Sequence, residues 1–331
     1  MPAVLGVDGG GTKTHAIVAD DSGDVLGCGV QAASNWEEVG FARAADALQR
    51  AATIALEEAR VSPQELAASV FGLAGVDWES DQLRAANLLN PLQLSGPREI
   101  VNDAFVALRA GSTRDWGVVV IAGTGCVSVG RNEDGQTFRT LGLGAYFGDF
   151  GGGSDISEEA VKAVAEAYIG SGPSTALSEL LCEHERVGTV AELLELISRE
   201  QDDLPYVAQG VLEVAEAGDE VAGAIVEKAG RALGRSGAFV AERLGLADKG
   251  FELVLAGGLF QARTDVLRQR VVATVRETAR LASPILLSSP PVIGAVLKAL
   301  ELAGHCADEA VAERLRAGLT EPLRLPPMER I

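Results

Sequence analysis

The chain is poor in the residues that most metal and redox chemistry needs. Its 331 residues include four cysteines and three histidines. Cys28, Cys126, Cys182 and Cys306 are scattered without C-x-x-C spacing, which argues against a zinc site or a disulfide framework and leaves ordinary reduced thiols as the expectation. No histidine sits in a metal-binding spacing, so a carboxylate is the better candidate for a general base. Basic residues are also scarce, with 28 Lys and Arg against 47 Asp and Glu, a net charge of −19. Nucleic-acid partners need basic patches to neutralise phosphates, and none is present. An anionic ligand must then be held by local N–H groups and a metal. No apolar run approaches the ~20 residues of a membrane helix, and the N-terminus enters a strand with no charged leader or cleavage site. The expectation is a cytoplasmic protein with no membrane partner. A Walker loop and a dinucleotide fingerprint are missing too, so any nucleotide must be bound by another fold.

What is present is a glycine turn used twice. Gly6-Val7-Asp8-Gly9-Gly10-Gly11-Thr12-Lys13-Thr14 breaks an apolar strand into glycines and threonines, and a second apolar run follows to the turn Asp21-Ser22-Gly23-Asp24. Val118–Ile121 then Ala122-Gly123-Thr124-Gly125 repeats the design, ending at Asn132-Glu133-Asp134-Gly135. Glycines let backbone bend without a Cβ penalty, bringing N–H donors and threonine hydroxyls close to an anion. Two matched copies point to duplicated architecture and to two turns gripping one polyphosphate.

Composition fits a globular protein, with 47% apolar residues, 23% charged residues and a mean hydropathy of +0.17. Length allows two domains at the usual ~100–200 residues each. Periodicity predicts two or three strands over 3–30, an alanine-rich amphipathic helix over Phe41–Arg60, a helix start at Ser62-Pro63-Gln64-Glu65, and strands at Ala68–Leu73 and Glu99–Val101. A helix follows from Ala104. After the second hairpin, helices are predicted at 157–168, 174–183, 189–199, 204–216 and 219–244. Sheet character returns at Phe251–Leu255 and Ile285–Leu287, before helices at 292–303 and 307–317 and a Pro-rich tail. The expected organisation is a smaller N-terminal domain over 1–114 and a larger one over 115–331 with a helical insertion, the glycine turns facing the cleft between them.

These residues resemble the acetate kinase, sugar kinase, heat-shock chaperone and actin superfamily, and within it the BadF/BcrA-type ATPase group that contains N-acetylglucosamine kinases. Asp8–Thr14 matches the first phosphate motif, Ala122–Gly125 the second, and Ala256-Gly257-Gly258 the adenosine motif. Ser34-Asn35, Asn102-Asp103-Ala104, Gly142-Leu143-Gly144 and Gly148-Asp149 lie between them in order, and Pro290-Pro291 with Gly294-Ala295 follows. The resemblance implies an α/β fold of two duplicated ribonuclease H-like, actin-like ATPase domains. It also implies ATP and Mg2+ as cofactors, a sugar substrate, a homodimer, and phosphorylation of the 6-hydroxyl of N-acetylglucosamine or a related amino sugar. The alternative within the same group is an ATPase that activates a radical dehydratase or reductase through a shared iron–sulfur cluster.

On this resemblance Asp8 is the Mg2+ carboxylate, Gly10, Gly11, Thr12 and Thr14 meet the β/γ-phosphates, and Gly123, Thr124 and Gly125 face them. Gly257 and Gly258 take the adenosine. Lys13 points either at phosphate or at solvent. Asp103 is the general base, although Asn102 or Asp103 could equally cap the helix that follows. Asn35, Asp103, Gly142, Leu143, Gly144 and Asp149 are the sugar ligands, with turn roles open for Asn35 and Asp149. Trp36 and Trp78 could stack on a sugar or anchor packing. The chain departs from human-type N-acetylglucosamine kinases in reading Gly148-Asp149-Phe150-Gly151 for Gly-Asp-Glu-Gly, and Cys126-Val127 for Ser-Asn.

Overall fold

A computed structural model describes residues 2–199 and 204–319; the Pro-rich tail lies outside them. The chain forms two compact units, one made by the chain up to Trp116 together with the segment from Leu287 onward, the other by Gly117–Leu286.

In the first unit β1 (Ala3–Gly9), β2 (Lys13–Asp20) and β3 (Val25–Ala32) form an antiparallel meander. Helices α1 (Trp36–Val39) and α2 (Phe41–Ala59) return the chain to β4 (Leu66–Leu73), which pairs parallel with β1. Helix α3 (Glu79–Leu89) then leads to β5 (Arg98–Asn102), and the sheet order is β3-β2-β1-β4-β5. Strand alternation divides the apolar side chains between two cores. Leu5, Val7, Ala16, Val18 and Phe71 share one with the Ala44, Leu48, Ala51, Ala55 stripe of α2. Val4, Ile17, Ala19 and Val70 join the other. α2 lies so close to β3 that a Cβ on Gly29 would come within 1.9 Å of the Ala51 carbonyl. Strand glycines and helix alanines together permit that approach.

Two local readings change. α3 was not anticipated, because its sequence is polar and it buries only Asp81, Ala85 and Leu89. Its start is fixed by Asp81 accepting the N–H groups of Asp77 and Trp78 at 3.2 and 2.9 Å. Ser62–Glu65 forms only the 3₁₀ turn Pro63–Glu65, since β4 begins at the next residue.

After α4 (Asp103–Gly111), the second unit repeats the design with β6 (Gly117–Ala122), β7 (Cys126–Arg131) and β8 (Thr137–Arg139). An insertion follows: α5 (Gly153–Ile169), α6 (Leu177–Glu185), α7 (Val190–Arg199), α8 (Ala208–Glu216) and α9 (Glu220–Arg243). Then β9 (Phe251–Ala256), α10 (Val266–Arg276) and β10 (Ala282–Leu286) complete the sheet β10-β9-β6-β7-β8. Read from its β8 edge, this order has the connectivity of the first sheet: a meander, then two parallel strands. The fold is α/β, with two mixed five-stranded sheets flanked by helices. No helix among the described residues is long and apolar enough to cross a membrane.

The expected division into 1–114 and 115–331 needs a correction at its end. Helices α11 (Val292–Leu302) and α12 (Glu309–Gly318) belong to the first unit. α11 is buried on every side from Val292 to Leu300 and is apolar there except for Lys298, which pairs with Glu99 at 3.5 Å, so it is stable only where other elements surround it. β1, β4 and α4 do so. Buried Arg109 fixes the arrangement, donating to Glu301 at 2.8 Å and to the carbonyls of Ser112 and Ala307 at 3.2 and 2.6 Å. Burial pushes the Glu301 carboxyl above its ordinary range and Arg109 opposes that shift.

The contact between α11 and α4 leaves no room for a methyl group, because a Cβ on Gly294 would stand 1.9 Å from the Val106 carbonyl. Gly294→Ala is expected to lower unfolding free energy by about 1–3 kcal/mol through overpacking. Urea denaturation measures this, and an unchanged midpoint would contradict the packing described.

Candidate functional site

In open α/β sheets ligands bind at the carboxyl ends of the strands. Pairing aligns those ends in the first unit: Gly9 is opposite Leu73, and Leu73 opposite Asn102. Every loop leaving this line is tied to its neighbour. The Gly10 carbonyl accepts Ser34 N–H at 3.0 Å and the Gly9 carbonyl accepts Ala74 N–H at 2.8 Å. Asn102 Nδ2 donates to Asp77 Oδ1 at 3.0 Å. Asp8, the Gly10–Lys13 turn, Asn35 and Asp103 are thus brought together on one edge of one sheet.

The first turn closes through Gly10 N–H to the Lys13 carbonyl at 3.0 Å. Gly11 and Thr12 are exposed, and their N–H groups meet no acceptor among the described residues. That is an anion cradle made of backbone. Thr14 does not belong to it. Its side chain is fully buried and its hydroxyl donates to the Ala32 carbonyl at 2.7 Å, because strand alternation turns it to the opposite face from Lys13. Lys13 instead shares the face of Asp8 and His15, the latter two being direct cross-strand partners.

Asn102 takes the capping role that the sequence left open between it and Asp103. Asn102 caps α4, accepting Ala104 N–H at 3.1 Å. Asp103, half-buried, opens the first turn of the helix, where negative charge complements the helix dipole. Asn35 in turn caps α1, accepting Glu37 N–H at 3.2 Å and donating to Glu38 at 3.0 Å. Trp36 is buried and stacked on Phe41 at 5.6 Å, which makes it a packing anchor. Trp78 stays exposed.

In the second unit the Gly123 and Thr124 carbonyls accept the first N–H groups of α5, from Gly153 and Ser154 at 2.8 and 3.0 Å. A side chain added at Gly123 or Gly125 would meet nothing within 4 Å, so this turn is open. Gly257 sits beside it at φ +102°, where a Cβ would come within 2.3 Å of the Ala122 carbonyl. The phosphate and adenosine motifs are therefore adjacent because β6 and β9 are paired. Asp149 Oδ2 accepts the N–H groups of Leu143 and Gly144 at 2.7 and 3.1 Å, pinning the Gly142–Asp149 loop. Gly142, Gly144 and Gly148 take positive φ in it. A cavity of about 350 Å³ lies beside Asp149, lined by Val127, Leu233, Arg235 and Ser236 among others.

Several residues of the site were not read from the sequence. Asp155 accepts Gly151 and Gly152 N–H, both at 3.0 Å, and holds the backbone that packs on Thr124. Its place three residues into a helix is a capping signal that could have been found. Asp77, which holds Asn102, carries no such signal. Neither does Glu38, whose carboxylate would stand 3.2 Å from a Cβ on Gly11.

Among the described residues no three His, Cys, Asp or Glu side chains form a protein-only metal cage. Mg2+ does not ask for one, since it takes one or two carboxylates, keeps waters and shares phosphate oxygens. Asp8 at the strand end and Glu38 beside an anion cradle fit that donor set, because only a cation reconciles carboxylates with a bound polyphosphate.

Burial, then Asp155 and Asp149, push the Cys126 thiol up to about 12. Only roughly one such thiol in ten thousand is thiolate at pH 8. Iodoacetamide is therefore expected to label exposed Cys306 far ahead of Cys126, and equal rates by peptide mass spectrometry would contradict the burial described.

The model of the BadF/BadG/BcrA/BcrD ATPase family matches residues 5–299. The chain is 29% identical over 310 residues to N-acetyl-D-glucosamine kinase of Dictyostelium discoideum, covering 89% of this chain and 97% of that protein. It is 30% identical over 262 residues to N-acetylmuramic acid/N-acetylglucosamine kinase of Clostridium acetobutylicum, covering 78% and 86%. In fold it is similar to a Chromobacterium violaceum protein provisionally described as an N-acetylglucosamine kinase, with a TM-score of 0.65, 22% identity and coverage of 92% and 99%.

Proposed function

Because the chain belongs to the BadF/BadG/BcrA/BcrD ATPase family, we propose that it is an ATP-dependent kinase of amino sugars. It transfers the γ-phosphate to the 6-hydroxyl of N-acetylglucosamine or of a close relative such as N-acetylmuramic acid. Carrying this reading is the strand-end line of the first unit, which sets Asp8, the Gly10–Lys13 turn and Asp103 on one sheet edge. A phosphate cradle and a carboxylate held on the same rigid edge are what transfer to a hydroxyl requires. Two relatives bearing the kinase name, at 29% and 30% identity, support the substrate class.

Phosphoryl transfer depends on positioning and charge stabilisation more than on covalent help. In the first unit the N–H groups of Gly11 and Thr12 and the Lys13 ammonium are the phosphate ligands. In the second unit Gly123, Thr124 and Gly125 are phosphate ligands, and Gly257 and Gly258 beside them take the adenosine. Mg2+, held at Asp8, would neutralise charge on the phosphates. Asp103 accepts the proton of the attacking hydroxyl as its oxygen bonds to the γ-phosphorus, and the bond from that phosphorus to the leaving ADP oxygen breaks. Asn102 caps α4, and Asp103 stands beside it in the helix's first turn. Asn35 in the first unit, and the Gly142–Gly144 loop with Asp149 in the second, are the candidate ligands of sugar hydroxyls. The cavity of about 350 Å³ beside Asp149 joins apolar Val127 and Leu233 to polar Ser236, a lining suited to an N-acyl substituent.

The radical-enzyme alternative would ask a thiolate to ligate iron. The two relatives that bear the kinase name favour the kinase reading.

A coupled ADP-release assay over amino sugars and hexoses tests the proposal, with NMR of the product to locate the phosphate. Turnover above the water background is expected with N-acetylglucosamine, and none with any sugar would refute the reading. Asp103→Asn is expected to lower kcat by about 10²–10⁴ while ADP binding stays unchanged. A variant with normal kcat would remove Asp103 from the mechanism.

A further inference from the structure

His15 is an anomaly of the first sheet. Both of its ring nitrogens are buried, and neither hydrogen-bonds to any described residue. Its side chain is 14% exposed, as is that of Asp8. A buried polar atom left unpaired costs about 1–3 kcal/mol, and a β-branched apolar residue would suit a half-buried strand better. The next position on the same face of β2, Ile17, is indeed apolar and enters the core, as does Val4 farther along β1. A histidine at position 15 therefore weakens the free protein unless another state of the molecule uses it.

A carboxylate opposite it shows which state that is. Asp8 and His15 are direct partners in the β1–β2 ladder, and Nδ1 lies 3.9 Å from Asp8 Oδ2. That distance is too long for a hydrogen bond, yet a side-chain shift of about 1 Å would make one. Lys13, the other polar residue on this face of the strand, sits two positions nearer the turn. The antiparallel register thus arranges, on one face and in order, a cation at the cradle, the Asp8 carboxylate, and an imidazole behind it.

We propose that His15 is a positioning residue for Asp8. When metal and nucleotide are bound, Nδ1–H donates to Asp8 Oδ2 and fixes the carboxylate so that its other oxygen meets the cation or a water of its shell. This rests on the reading of Asp8 as the metal carboxylate. Carboxylates that hold metals are themselves held by hydrogen bonds, and loss of such a partner commonly weakens metal binding by about 10–100-fold.

The test is Mn2+ binding to the full chain in the presence of ADP, read by electron paramagnetic resonance, for wild type, Asp8→Asn, His15→Leu and His15→Asn. His15→Leu removes the donor at similar volume, and His15→Asn keeps an N–H near the position of Nδ1. Expected is a 10–100-fold weaker Mn2+ dissociation constant in His15→Leu, recovery of most of that loss in His15→Asn, and a Tm in EDTA for His15→Leu no lower than wild type. A residue that only packs would show the opposite, a lower Tm with unchanged Mn2+ affinity. If Asp8→Asn weakens Mn2+ and His15→Leu does not, the positioning role is overturned while the Asp8 reading stands. If Asp8→Asn binds Mn2+ as wild type does, the Asp8 reading fails and this inference with it. Should His15→Leu not fold, the imidazole 15N resonances of the wild type decide: unchanged Nδ1 on adding Mg2+ and ADP overturns the proposal.

Discussion

The register that sets Gly9 against Leu73 and Leu73 against Asn102 is the constraint on which the first unit depends. Three parallel strands end on one line, so three loops leave together, and each is short enough to bond to the next. The Gly9 and Gly10 carbonyls hold two of these loops and the Asn102–Asp77 bond holds the third. A slip of one residue would turn every side chain to the other face. It would put Asp8 into the core that holds Leu5 and Val7, and would break the cradle. Both faces of the sheet are buried under helices, so such a slip is strongly opposed.

Small residues make that burial possible. Gly27 and Gly29 admit α2, Gly6 admits α11, and Gly294 admits α4, each at a distance where a methyl group would meet backbone. Gly237 and Gly234 do the same for α9 in the second unit, against Val120 and Thr274. The sheets are thereby clamped between helices at close range, and the loops at their ends inherit the rigidity. A site built from backbone N–H groups needs this, since a peptide cannot be re-aimed by a side-chain rotamer.

Charge is handled locally. With a net charge of −19 the chain offers an anion no general attraction, so an anionic ligand would depend on groups oriented locally. The acidic residues near the turns are mostly occupied with backbone. Asp149 pins its loop, Asp155 caps α5, and Asp81 caps α3. These carboxylates shape loops and helix starts instead of standing as free charges.

The two glycine turns, the strands around them, the long helices and the carboxylate at position 8 were legible in the sequence, because they rest on local chemistry: glycine where backbone must bend, alternation in strands, a 3.6-residue period in helices. α3 was not, since its helical start depends on Asp81 and its sequence has almost no apolar face. Asn102 and Asp103 are equally good caps by residue type, and only the position of the Asp77 loop, bonded to Asn102, separated them. Thr14 reads as a phosphate ligand until pairing turns it inward, and Lys13 reads either way until the same pairing turns it to the Asp8 face. The end of the chain reads as part of the second domain by order alone, yet α11 is buried on all sides and stable only where the first unit surrounds it. The sequence by itself determined most of the strands and helices and the two glycine turns, since those follow from neighbours within a few residues. Register, faces and the unit to which the last helices belong were decided by tertiary structure, because they depend on pairing and burial between residues far apart in the chain.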